Sequence, residues 1–244
     1  MTIHLYGASF STCVRRVALV AKELGVEYVL HPVNFAKGEH KDPAFLEHQP
    51  FGQVPYIVDD ANDNFELYES RAIARYLVRQ YGPQSGLIPT DPKKLAKFEQ
   101  AASVEASNFD PHAGPVLFEK LIAPMHGLTS NEANLQKHLT VLYAKLDAYD
   151  VILGKSKYLA GDDITLADLA HLPHGYMLTT KAGYADTLIN DKRPNVTRYE
   201  WCRVGIRIPY TIDISIFIFI DGGTISVLVL LGKQSRMVRK WLKE

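Results

Sequence analysis

Two short stretches hold the groups best suited to chemistry: Phe51-Gly52-Gln53-Val54-Pro55 and, beyond one acidic strand pair, Glu69-Ser70-Arg71. The Val54-Pro55 step lies between a turn and the strand-like run Tyr56-Ile57-Val58. Proline lacks an N–H and is poorly tolerated inside a sheet. A cis Val54–Pro55 bond is one good reason to keep it there, because it turns the preceding backbone outward. Val54 then offers its own N–H and C=O to an extended peptide lying alongside. Glu69 and Ser70, at a strand-to-helix junction, offer a hydroxyl and free N–H groups to a carboxylate. A peptide backbone on one side and a carboxylate on the other describe a small, anionic, peptide-like ligand.

The elements that must hold these groups follow from hydrophobic spacing. Ile3 to Tyr6 reads as a strand, and a helix follows from Thr12 with Val14, Val17, Ala18, Ala21 and Leu24 at helical spacing and Gly25 as its stop. Tyr28 to Val33 is a second strand, and residues 35–50 are polar and irregular. Val54 to Asp59 and Phe65 to Tyr68 form two strands around the turn Asp60 to Asn64, and a helix runs from Ser70 to Tyr81. The order predicts an α/β unit with a mixed sheet over residues 1–82, a Pro-rich linker over 83–91, and an all-helical region from 92 to 201. Within that region, Thr165 and Asp168 have the spacing of a capping box and start a helix that should be buried.

The 244 residues suffice for two modest domains. Lysine plus arginine equals aspartate plus glutamate at 27 each, so no overall field favours nucleic acid or an anionic membrane. Cys13 and Cys202 give neither a disulfide framework nor a zinc set. The opening Met1-Thr2-Ile3-His4 has no signal-peptide pattern, so the expected setting is cytoplasmic.

Gly38-Glu39-His40-Lys41, Pro50 to Pro55, Glu69 to Ile73 and Ile164 to Leu169, in this order and spacing, resemble the glutathione transferases, the phi class in particular. The resemblance covers residues 1 to about 201. It implies a thioredoxin-like N-terminal domain with a four-stranded mixed sheet that binds glutathione, an all-α C-terminal domain that binds a second substrate, and a homodimer. It also implies glutathione as co-substrate, with no metal and no other cofactor. The implied reaction is transfer of the glutathione thiolate to hydrophobic electrophiles, in detoxification, or the reduction of organic peroxides.

Only the thiolate of glutathione attacks electrophiles, so the protein must stabilise an anion. Ser11, where the first loop meets the first helix, can do so with its hydroxyl and the helix N–H groups. Lowering a thiol pKa by about 2 units needs about 2.7 kcal/mol. One hydrogen bond to a charged group supplies ~1.5–3 kcal/mol, and a helix terminus ~0.3–1 kcal/mol. Read alone, Ser11 is a helix N-cap with Ser9 and Thr12 as rivals; the family pattern, five residues before the second arginine of Arg15-Arg16, selects Ser11. The resemblance further implies His40 and Lys41 on the glycine carboxylate, Gln53 and Val54 on the cysteinyl segment, Ser70 on the γ-glutamyl carboxylate and Glu69 on its ammonium group. Arg71 reads as structural, and Cys13 as a small packing residue.

The second-substrate pocket should be apolar, with Phe10 and Phe118 as first candidates and Phe109, Pro115, Glu119 and Tyr176 behind them. Two alternatives stand beside the transferase reading: a non-catalytic carrier of hydrophobic ligands on the same fold, and a thiol–disulfide oxidoreductase using Cys13.

The C-terminal part departs from the family. Pro194 to Trp201 resembles the start of the usual last helix, and residues 235–244 resemble its remnant. Between them, residues 202–234 are dense in β-branched side chains, and Asp221-Gly222 suits a hairpin turn. Deleting this insert rejoins a recognisable ending, which points to a retained intron or splicing variant; a β-hairpin appendage is the alternative. Transcript sequencing across the junction decides, and abundant message with no shorter form counts against the intron.

Overall fold

A computed structural model describes residues 2–199, 215–221 and 224–230. The N-terminal half is built on a four-stranded sheet in the order β2-β1-β3-β4: β1 (Ile3–Gly7), β2 (Tyr28–Pro32), β3 (Tyr56–Asp59) and β4 (Phe65–Tyr68). β1 and β2 are parallel with Leu5 opposite Leu30, whereas β1–β3 and β3–β4 are antiparallel with Leu5 opposite Ile57 and Ile57 opposite Leu67. The parallel pair needs a crossover, and α1 (Thr12–Glu23) supplies it. Its buried Val14, Val17, Ala18 and Ala21 are those predicted from helical spacing; Leu24 is the C-cap and Gly25 follows with φ +68°. α3 (Ser70–Tyr81) packs beside α1 through Ile73, Ala74 and Leu77.

Residues 35–50 differ from the irregular loop expected. A 3-10 turn at Glu39–Lys41 leads to α2 (Pro43–His48), with Pro43 in its first turn. Proline pre-organises a helix start, and Phe45 anchors this single turn and a half against Val33 and Tyr56. So short a helix carries no periodic signal; tertiary contact makes it.

The helical half begins at α4 (Pro92–Val104), where Asp91 accepts hydrogen bonds from Lys93 and Lys94 N–H. A π turn (Glu105–Phe109), α5 (Asp110–Leu117), a second π turn (Phe118–Ile122) and α6 (Ala123–Met125) continue it almost without a break. Pro115 lies inside α5, where its missing N–H weakens the regular ladder just ahead of the second π turn. α7 (Glu132–Leu153) packs against α5 and is capped by the Asn131 side chain. α8 (Leu166–Thr180) carries the predicted capping box and has twelve of its fifteen residues buried. Asp168 does more than cap: it also accepts from Leu159 N–H at 3.0 Å and from the Tyr199 hydroxyl. α9 (Ala185–Leu188) and α10 (Pro194–Arg198) close this half, with Asp150 accepting from Asn195 and Val196 N–H.

α1 also packs on α8, so the two halves share a buried boundary. Its centre is ionic. Arg16, 1% exposed, donates to Ser70 Oγ at 2.8 Å and to the Ala170 carbonyl at 3.3 Å, and pairs with Glu105 and Asp110 at 3.4 and 3.1 Å. Arg71 adds bonds to both carboxylates, at 2.7 Å to Glu105 and 2.9 Å to Asp110. That is the structural role read for Arg71.

A separate unit contains β5 (Ser215–Asp221) and β6 (Thr224–Leu230), antiparallel from Ser215 opposite Leu230 to Asp221 opposite Thr224. Asp221 thus belongs to the ladder and not to the turn. The rest of the insert, Cys202 and the helix remnant at 235–244 lie outside the described residues.

Candidate functional site

A cavity of about 480 Å³ opens between the two halves, and loops set by the sheet form most of its N-terminal wall. Phe10, Ser11, Thr12 and Cys13 come from the β1–α1 junction, Phe35, His40 and Lys41 from the segment after β2, and Gly52, Gln53 and Val54 from the turn before β3. All six predicted N-terminal positions outside Glu69 and Ser70 (Phe10, Ser11, His40, Lys41, Gln53 and Val54) therefore meet in one place.

Ser11 is the N-cap of α1, with φ −65° and ψ 127°, and its Oγ accepts from Val14 N–H at 3.4 Å. A hydroxyl has one donor and two acceptor sites, so the cap leaves the O–H free to point at an anion in the cavity. Of its rivals, Thr12 shares the wall while Ser9 does not; the Ser9 carbonyl is held by Arg15 Nε at 2.8 Å. Cys13 is half-buried, with Sγ 3.7 Å from Arg16 Nη1.

The Val54–Pro55 bond is cis, as read from the sequence. Neither Val54 N–H nor its C=O takes a hydrogen-bond partner among the described residues. Gly52 has φ +59°, and a Cβ there would lie 2.7 Å from the His40 carbonyl and from Lys41 Nζ. Only glycine lets the two loops close on each other, which is the physical content of the Phe-Gly-Gln spacing. Lys41 Nζ donates to the Phe51 carbonyl at 3.1 Å, and His40 stacks on Phe35 with centroids 4.3 Å apart. Burial and the adjacent Lys41 lower the His40 pKa, and its Nδ1 has no partner.

Glu69 and Ser70 do not line this cavity. Ser70 is 5% exposed, and its hydroxyl already accepts from Arg16. Its N–H, first in α3, has no acceptor within the described residues. Glu69 sits at φ +69° and ψ 104°, a conformation costing a non-glycine residue on the order of 1–3 kcal/mol and concentrated at functional sites.

The helical half supplies Gly114, Leu117, Phe118, Ile122, His174 and Met177. Phe118, 45% exposed, and Phe10 both line the cavity. None of the four lesser candidates lines the cavity. Phe109 is fully buried, packed on His171 and Tyr149. Glu119 faces the α7 start, accepting from Asn131 N–H and the Asn134 amide, both at 2.7 Å, and these bonds hold its carboxyl below the usual range. Pro115 and Tyr176 do not line the cavity. Helical spacing puts these side chains on the inner face but cannot tell a packed neighbour from an open one. Phe35, Leu117, Ile122, Met177 and His174 also line the cavity, and nothing in their local sequence distinguishes them from core residues.

His174 borders the ionic cluster, its Nε2 3.6 Å from Asp110 Oδ1. Burial pushes its pKa down to about 4, against the opposing pull of Asp110; Arg16 adds to the depression, Glu105 opposes it and Arg71 adds to it. Burial raises the Asp110 pKa, but His174, Arg71 and Arg16 outweigh it and hold the carboxyl below its ordinary value. The His174 shift has a stability consequence. An unfolded histidine binds its proton near pH 6.5, whereas the folded one does so near pH 4. Between those values the unfolded chain holds more protons, so stability is full above pH 6.5 and declines as pH falls toward 4. At pH 5 the expected loss is about 2 kcal/mol relative to pH 7. Urea unfolding at the two pH values reads it, and a His174→Phe variant should flatten the difference.

The comparisons with known proteins agree with this geometry. Residues 1–79 match the family model described as glutathione S-transferase, N-terminal domain, and residues 109–203 match glutathione S-transferase, C-terminal domain. The fold and its site thus define a glutathione transferase: the chain belongs to that family. Its relatives place it with the phi class. It is 46% identical to glutathione S-transferase PM239X14 of Arabidopsis thaliana over 211 residues, covering 85% of this chain and 93% of the relative. The crystal structure of poplar glutathione transferase F1 superposes with a TM-score of 0.78 at 33% identity, over 86% of this chain and 95% of that one. Glutathione S-transferase I from mais, solved in complex with an atrazine glutathione conjugate, gives a TM-score of 0.75 at 35% identity, covering 86% and 95%. These relationships support glutathione conjugation over the carrier and oxidoreductase alternatives.

Proposed function

We propose that glutathione lies along the N-terminal wall with its sulfur at Ser11, and that a hydrophobic electrophile lies against Phe10, Phe118 and the rest of the helical wall. The observation that carries this reading is Ser11 itself: a capped hydroxyl with a spare proton, set where the peptide-binding loops and the apolar wall meet. Val54 hydrogen-bonds the cysteinyl backbone through its unpaired N–H and C=O, with Gln53 beside it. His40 and Lys41 hold the glycine carboxylate. The Ser70 N–H and hydroxyl hold the γ-glutamyl carboxylate, and Glu69, fixed in its strained conformation, holds the ammonium group.

With both ends of the tripeptide fixed, the thiolate needs only a hydrogen bond and the positive end of α1, so no metal and no other cofactor takes part. The electrophile is an apolar small molecule. The same thiolate, aimed at a hydroperoxide, releases the alcohol, and a second glutathione converts the resulting sulfenic acid to the disulfide. The protein works in the cytoplasm as a detoxifying homodimer without membrane or nucleic-acid partners; sedimentation reads the dimer and a fluorescent fusion the location.

Lys41→Ala tests the placement of the tripeptide. Lys41 is exposed, so screening limits its worth, and the expected result is a rise of about fivefold in KM for glutathione with kcat within twofold. An unchanged KM removes Lys41 from the site.

A further inference from the structure

The helical wall of the cavity contains one polar side chain, His174, among Gly114, Leu117, Phe118, Ile122 and Met177. His174 is 4% exposed and its Nδ1 has no partner. Its neighbour on α8 shows what a satisfied imidazole looks like here: His171 pairs Nδ1 with the Ala167 carbonyl at 2.8 Å and Nε2 with the Tyr149 hydroxyl at 2.9 Å. The carbonyl one turn before His174, that of Ala170, is taken by Arg16 instead. A buried polar ring left short of partners calls for an explanation.

Space is kept open in front of the other ring nitrogen. A Cβ at Gly114 would meet His174 Nε2 at 3.8 Å and, apart from the two adjoining residues and the helix's own backbone, no other described atom within 4 Å. Glycine inside a helix is less favourable than alanine, and alanine would fit. Asp110 lies 3.6 Å from the same nitrogen, beyond hydrogen-bond reach. Its charge favours the tautomer with the proton on Nε2, as does the lack of any acceptor for a proton on Nδ1. Burial keeps the ring uncharged at neutral pH. The cavity therefore has a neutral N–H donor in an apolar wall, reached past a missing side chain.

We infer that the His174 Nε2–H group receives a carbonyl oxygen of the second substrate and biases this enzyme toward α,β-unsaturated carbonyl electrophiles. The inference rests on the reading of this wall as the electrophile site. In the reaction the glutathione sulfur bonds to the β-carbon, and the C=C pair moves through the conjugated system to leave an enolate. Charge grows on the carbonyl oxygen, where a donor in a dry wall acts more strongly than in the ground state. The imidazole keeps its proton; water protonates the α-carbon. A halide electrophile, whose negative charge leaves with chloride, gains nothing from this group at a carbonyl position.

The test compares kcat/KM for trans-2-nonenal and benzyl chloride in the full chain, in His174→Leu and in Gly114→Ala. The second variant adds one methyl group at ordinary contact distance in a helix, so it folds, and it covers the Nε2 edge. The expected result is a fall of about tenfold in the enal-to-halide ratio in both variants, carried mainly by kcat for the enal. A ratio within twofold of the parent in Gly114→Ala overturns the inference, as does an equal loss on both substrates in His174→Leu. A parent chain that conjugates benzyl chloride but not the enal also overturns it. A parent that conjugates neither removes the electrophile-site reading, and the inference with it.

Discussion

Ser11→Ala is expected to lower kcat/KM for conjugation at neutral pH by about 10- to 100-fold while the glutathione dissociation constant changes little. The size follows from one hydrogen bond to a charged sulfur, ~1.5–3 kcal/mol. The sign in pH is also fixed. Without the donor, the bound thiol ionises at higher pH, by about 1–2 units, so activity should recover as pH rises and the pH–rate profile should move to the alkaline side. Difference ultraviolet spectra of the thiolate, recorded on mixing with glutathione, measure the ionisation without turnover. Ser11 also caps α1, so alanine costs about 1 kcal/mol of stability as well. Ser11→Gly separates the two effects, because glycine at an N-cap costs only a few tenths of a kcal/mol yet lacks the hydroxyl. Thiolate formed at parental pH by both variants would refute the assigned role.

Arg16→Met is expected to destabilise the folded chain by about 3–5 kcal/mol, the usual result of removing one member of a buried ionic group. For a chain of this size that is a fall in Tm of roughly 10 °C. Glu105, as buried as Arg16, would keep only Arg71 as its cation, and Ser70 and the Ala170 carbonyl would each lose a donor. A shared carboxylate makes the losses non-additive. The double variant Arg16→Met with Glu105→Gln should therefore recover part of the loss, since it removes the stranded charge along with its partner. Urea unfolding of the three variants tests this; a loss below about 1 kcal/mol in Arg16→Met would show that Arg71 alone satisfies the cluster.

How far the sequence reached depends on whether a residue's role is set by its chain neighbours. α1 and α3 were legible because each buries a stripe at helical spacing, α1 with Gly25 as its stop, and α8 because Thr165 with Asp168 marks its start. The cis proline was legible because proline between a turn and a strand has few other reasons to be there. α2 was not, because a six-residue helix depends on Phe45 finding Tyr56. Phe109 and Phe118 are both aromatics on the same helical run, yet one is core and the other lines the cavity.

The sequence by itself determined the cis-proline edge, the hydroxyl at the head of α1 and the division into a sheet half and a helical half. These depend on contacts short along the chain: turns, caps, and the alternation that fixes strand faces. Only the tertiary structure decided that Arg16, Arg71, Glu105, Asp110 and His174 form one cluster, and that Gly114 leaves the imidazole uncovered. Such groups are brought together by how helices far apart in sequence pack, and a buried charge or an unfilled space has no signature in the residues on either side of it.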